Sequence, residues 1–151
     1  MFSLFKKKEF FSKEENEKIV SAIRNAEKCT SGEVRIFVES KCKFIDPLDR
    51  AVEIFSELKM ETTEDRNAVL LYVALKDRQL AVYADKGIHE KVGEQFWQEV
   101  VKSILSHFNK ENYADGISQC IKEIGEALQQ NFPYNKDTDK NELPDEIIFG
   151  K

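Results

Sequence analysis

The residues of this sequence best suited to chemistry are acids and arginines gathered at the ends of two apolar runs. Asp65-Arg66-Asn67 stands just before one run, Ala68 to Leu75, and Asp85 stands just after another, Gln79 to Ala84. If the two runs pair as a hairpin, its open end brings Asp65, Arg66 and Asn67 beside Asp85, and a neighbouring parallel strand adds Glu33 and Arg35 to the same rim. Carboxylates gathered there can hold a hard cation such as calcium or magnesium through oxygen ligands, with Asp65, Asp85 and Glu33 as the metal ligands. An arginine beside them can orient an anionic group through paired N–H donors. Metal and arginine together would stabilise phosphoryl oxygens while an aspartate acts as base or nucleophile. Asp65, Asp85 and Arg66 are therefore the candidate catalytic set, and Glu33, Arg35 and Asn67 the candidate binding set. The same residues have a plainer use as ion pairs and caps that fix strand register, with Asn67 closing a turn through its side chain. Arg50, from the helix between the strands, either reaches this rim or meets solvent.

Other chemistries find little support. His89 and His107 lie far apart and outside any H-E-x-x-H arrangement, and Cys29, Cys42 and Cys120 form no C-x-x-C pair. These spacings argue against a zinc site and a disulfide framework, and a reducing, cytoplasmic compartment is expected. No G-x-S-x-G elbow, Walker A loop or G-x-G-x-x-G loop occurs, so hydrolase triads and nucleotide loops are not supported.

The elements that must position the rim follow from periodicity. Ser12 and Glu15 have the capping-box form with Phe11 as staple, and Ile19, Ala22, Ile23 and Ala26 share one face, which predicts a helix over 13–28. Glu33 to Glu39 alternates with β-branched Val34, Ile36 and Val38 and reads as a strand. Asp46-Pro47-Leu48-Asp49 starts a second helix that should end near Met60. Ala68 to Leu75 is apolar on both faces, as a central strand covered on both sides would be. Lys76-Asp77 then suggests a tight hairpin to Gln79–Ala84, and the first two strands should form a right-handed βαβ crossover. Two broad apolar stripes, over 93–108 and about 113–131, supply two further helices. The fold class is thus α/β, a mixed β-sheet covered by about four helices. Pro133 stops the last one, and the acidic tail 134–151 is expected to be flexible.

At 151 residues and 41% hydrophobic content, the chain is the size of one domain with a real core. Its acids and bases are well mixed and its net charge is −5, which argues against nucleic acid as a partner. No run is long and apolar enough to span a bilayer. The arm 1–11 carries Phe2, Leu4, Phe5, Phe10 and Phe11 around Lys6 to Lys8. It could make a weak peripheral contact with an anionic membrane, touch a partner protein, or fold back on the domain.

Particular words in the sequence carry a resemblance. Thr30-Ser-Gly-Glu-Val-Arg35 enters the first strand, Asp65-Arg-Asn-Ala-Val-Leu-Leu-Tyr-Val-Ala74 enters the second, and Tyr83-Ala-Asp-Lys-Gly-Ile88 leaves the third. With Phe96-Trp97, Asn112-Tyr-Ala-Asp-Gly-Ile117 and Phe132-Pro133, they make residues 12–133 resemble the TPM domain family, named for a thylakoid lumen protein of photosystem repair and its relatives. The resemblance implies a three-layer α/β/α sandwich, in a family where some members are described as acid phosphatases and others as assembly or repair factors. The chain is similar to a short cytoplasmic branch, and it departs from many relatives in carrying Ala68 for a glycine and Asp85-Lys86-Gly87 for a Gly-x-Gly stretch. Two functions are expected to compete: an accessory module that binds another protein, in envelope or stress maintenance, and a divalent-cation-dependent phosphatase of small phosphomonoesters.

Overall fold

A computed structural model describes residues 11–43, 46–108, 112–134 and 147–150. In chain order the elements are α1 (Lys13–Glu27), β1 (Glu33–Glu39), α2 (Pro47–Glu57), a 3₁₀ turn (Met60–Thr62), β2 (Ala68–Ala74), β3 (Gln79–Ala84), α3 (Lys86–Val92), α4 (Glu94–Phe108), α5 (Tyr113–Asn131) and β4 (Ile147–Phe149). The capping box forms as expected: the Ser12 side chain accepts from the Glu15 N–H, and the Glu15 carboxylate accepts from the Ser12 N–H. Asp46 caps α2 with Pro47 at its first position.

The sheet order is β3-β2-β1-β4, with β1 parallel to both β2 and β4, and β2 antiparallel to β3. The expected mixed sheet is therefore present, and β2 is buried along its whole length, as its two-sided apolar composition requires. Alternation divides the core. Val34, Ile36, Val38, Val69, Leu71, Val73, Leu80 and Val82 face α1, α4 and α5, while Leu70, Tyr72 and Ala81 face α2 with Ile54, Phe55 and Met60. This is an α/β/α sandwich.

Several expectations need correction. Among the described residues the helices number five rather than about four, because Asp85 caps a short helix, α3, that precedes the two expected over 93–108 and 113–131. Helix α2 ends at Glu57 rather than near Met60; Lys59 takes a left-handed φ of 56° and the chain turns into the 3₁₀ segment. The hairpin spans Leu75 to Arg78 instead of two residues, closed by the Arg78 N–H on the Leu75 carbonyl at 3.2 Å, with Arg78 at φ 53°. In the tail, Ile147–Phe149 pairs with Ile36–Val38 as a strand. The apolar and basic arm lies outside the described residues, apart from Phe11, which is buried against Phe149 with ring centroids 6.5 Å apart.

Candidate functional site

The rim expected from the sequence forms at the start of β2 and the end of β3, but only part of it converges. Arg66 takes a left-handed φ of 53°, which turns its side chain back to Asp85. Its Nε donates to Asp85 Oδ2 at 2.6 Å and its Nη2 to Oδ1 at 2.9 Å, and this pairing holds the guanidinium above its ordinary pKa. Asp85 Oδ1 also accepts the Lys86 N–H at 2.8 Å, capping α3. A carboxylate only 2% exposed is thus already engaged on both oxygens. Gly87 brings the first turn of α3 against this pair, its N–H donating to the Arg66 carbonyl at 2.8 Å.

Asp65 and Asn67 belong to a second, smaller group. Asp65 is exposed and accepts from the Ser31 hydroxyl at 3.5 Å, and that hydroxyl in turn accepts from Asn67 Nδ2 at 3.1 Å. The Asn67 N–H is held by the Thr63 hydroxyl at 3.3 Å. Asn67 Oδ1 is buried and has no hydrogen-bond partner among the described residues. Glu33 and Arg35 are buried on β1, with Glu33 opposite Ala68 and Ala68 opposite Asp85. Glu33 therefore stands two strand spacings from Asp85, roughly 10 Å between backbones. Among the described residues no three His, Cys, Asp or Glu side chains converge closely enough to hold a metal ion.

Arg50 goes to neither place expected of it. At the opposite end of the sheet it grips Glu39 through Nε at 3.0 Å and Nη2 at 3.1 Å, and lies 5.7 Å from the centre of the Phe37 ring. Tyr72 donates its hydroxyl to the same carboxylate, and burial followed by that hydrogen bond pushes its pKa well up, so the phenol stays protonated. This lock fastens α2 to β1. Its sequence signal was a glutamate on the inward face of a strand, which requires a buried cation or donor to satisfy it.

A groove of about 690 Å³ opens beside the rim. Residues Leu80 to Ala84 form its floor, Pro47 and Leu48 one wall, Trp97 and Val101 the other, and Arg66, Lys86 and His89 gather at one end. Sequence reading missed it because it needs two helices, distant in the chain, to flank one strand.

The family model described as the TPM domain matches residues 4–127. The chain belongs to the TPM domain family. The BA42 protein of the psychrophilic bacterium Bizionia argentinensis, solved by NMR, resembles this TPM domain at 42% identity and a TM-score of 0.86, covering 97% of this chain and 99% of that one. The N-terminal domain of the cg2496 protein of Corynebacterium glutamicum shares the fold, with a TM-score of 0.63 at 12% identity over 79% of this chain and 74% of that one. No curated protein sequence matches. Among the described residues, no helix of this TPM domain is long and apolar enough to cross a membrane.

Proposed function

We propose that this TPM domain is an accessory module that binds another protein through the groove over β3. One contrast carries the reading: the acid of the rim is taken up on both oxygens, by Arg66 and by the first N–H of α3, whereas the groove beside it is walled by apolar side chains, of which Leu48 is 41% exposed. A pairing that engages both Asp85 oxygens fixes α3 and leaves that carboxylate little capacity to serve as base or nucleophile. The three cysteines are all free thiols, which suits a module working in a reducing compartment, the cytoplasm. The test is capture from native-host extract with the full chain as bait. Repeated recovery of no partner above background would overturn the accessory role.

Asn67 favours a second reading, a divalent-cation-dependent phosphatase. Its partnerless Oδ1 and the exposed Asp65 carboxylate are hard oxygen donors of the type that calcium or magnesium prefers. A cation there would rest on Asp65 and Asn67, with water completing its shell, and would supply charge to steady a phosphoryl oxygen. A calcium titration that moves the Asp65–Asn67 amides in the wild type and not in Asp65→Asn supports the site. Hydrolysis of an aryl phosphate that is equal in the two proteins removes it from any catalytic role.

A further inference from the structure

The open edge of the sheet is the feature that neither the fold nor the rim accounts for. The Asp85 N–H donates to the Ala68 carbonyl at 2.9 Å. In the antiparallel alternation Tyr83, Ala81 and Gln79 therefore also turn their backbone groups toward β2, and Leu80, Val82 and Ala84 turn theirs outward. Among the described residues, these outward groups make no hydrogen bond. Exposed edges are ordinarily blunted by a charge, a proline, a bulge or a covering helix or loop, and here the flanking helices leave Leu80, Ala81 and Val82 only 5%, 5% and 7% exposed without hydrogen-bonding the edge. The strand Gln79-Leu-Ala-Val-Tyr-Ala84 has no charged residue and no proline, and its register with β2 is unbroken. On the other side of the sheet, β1 is covered by the extended segment β4.

What fits this edge follows from its surroundings. Outward N–H and C=O groups spaced two residues apart are satisfied together only by another extended backbone. The strand is recessed between the start of α2 and the middle of α4, beside a void of about 690 Å³, which suits a single extended chain and keeps away the edge of a second three-layer domain flanked by its own helices. Side chains of an added strand alternate between the two walls, and both walls are apolar: Pro47 and Leu48 on one side, Trp97 and Val101 on the other. At the end where β3 stops, Arg66 spends Nε and Nη2 on Asp85 and keeps Nη1, and Lys86 is exposed. Asp46 and Glu94 also stand on the rims, but Asp46 is engaged in capping α2.

Resting on the accessory-module reading and giving it a partner chemistry, we propose that the groove takes an extended segment of another protein as an added β-strand. That segment carries β-branched side chains at successive positions, each with a methyl group to lay on one apolar wall or the other, and a carboxylate at the end that meets Lys86 and the Nη1 that Arg66 keeps. Synthetic hexapeptides Glu-Val-Thr-Val-Thr-Val and Val-Thr-Val-Thr-Val-Glu, which place the acid for either strand direction, are titrated into the full chain by amide NMR. At least one should shift the Leu80, Val82 and Ala84 amides and slow their hydrogen exchange, and its lysine counterpart should bind about tenfold more weakly. Lys86→Glu should invert that preference. Val82→Pro removes an N–H that β2 does not use, so the fold tolerates it as edge strands tolerate proline, and peptide binding should be lost. Should Val82→Pro not fold, a peptide N-methylated at alternate amides makes the same test on the wild-type chain.

Absence of binding by every peptide at about 1 mM, or binding indifferent to N-methylation, overturns the inference. Self-association that Val82→Pro abolishes overturns the choice of occupant. A captured host partner that still binds Val82→Pro overturns the groove while leaving the accessory role standing, so the two failures are separable.

Discussion

Replacing Gly87 by alanine sets two physical rules against each other. Gly87 lies in the first turn of α3, where Gly→Ala ordinarily stabilises a helix by up to about 1 kcal/mol. Here the added Cβ would sit 2.1 Å from the Asp65 carbonyl oxygen and 2.6 Å from that of Arg66. Both are backbone atoms and neither can rotate away. To reach ordinary contact at 3.4 Å, α3 or the 65–66 segment must retreat by more than 1 Å. That retreat stretches the 2.8 Å bond from the Gly87 N–H to the Arg66 carbonyl, worth about 1 kcal/mol, and loosens the grip on Asp85. Overpacking of this kind costs roughly 1–3 kcal/mol, so after the propensity gain the net loss is about 1–3 kcal/mol, or a Tm lower by about 2–12 °C for a chain of this length. Urea and thermal unfolding followed by the fluorescence of Trp97, the single tryptophan and a buried one, read the change directly. A Gly87→Ala protein as stable as the wild type, or more so, would refute the claim that close approach of two backbones holds the rim together.

Two further outcomes follow from the buried charges. Arg50→Met strands the Glu39 carboxylate, only 6% exposed, with Tyr72 as its remaining side-chain partner, and should cost about 2–4 kcal/mol; adding Glu39→Gln should recover more than half of it in urea melts, and strict additivity would contradict the lock. Burial, reinforced by Glu126 and opposed by His107, raises the Glu123 pKa, so the folded state holds that proton more tightly than the unfolded one, and stability is lost as pH rises through the folded value. Glu123→Gln should therefore melt higher than the wild type at about pH 7 and match it below the ordinary carboxyl value of 4.5; an equal gain at both pH values would sink this assignment.

Local pattern carried most of the architecture. Ser12 with Glu15, Asp46 with Pro47, and the alternation of Val34, Ile36 and Val38 are read within a few residues of themselves, because caps, helical faces and strand faces repeat over one or two turns of backbone. The placement of Arg66 and Asp85 at one rim was legible for the same reason, since a hairpin fixes which ends meet. What those side chains do there was not. The left-handed backbone at Arg66 that aims its guanidinium at Asp85, the departure of Arg50 to Glu39, and the separation of Glu33 from Asp85 by an intervening strand each depend on contacts between segments far apart in the chain. Pairing of Ile147–Phe149 on β1 and the recess of β3 between α2 and α4 are of the same kind. A sequence states which residues prefer to be buried and which backbone shapes they favour; which charge neutralises which, and which strand edge stays open, is settled only when sheet order and helix docking put them within a few ångströms of one another.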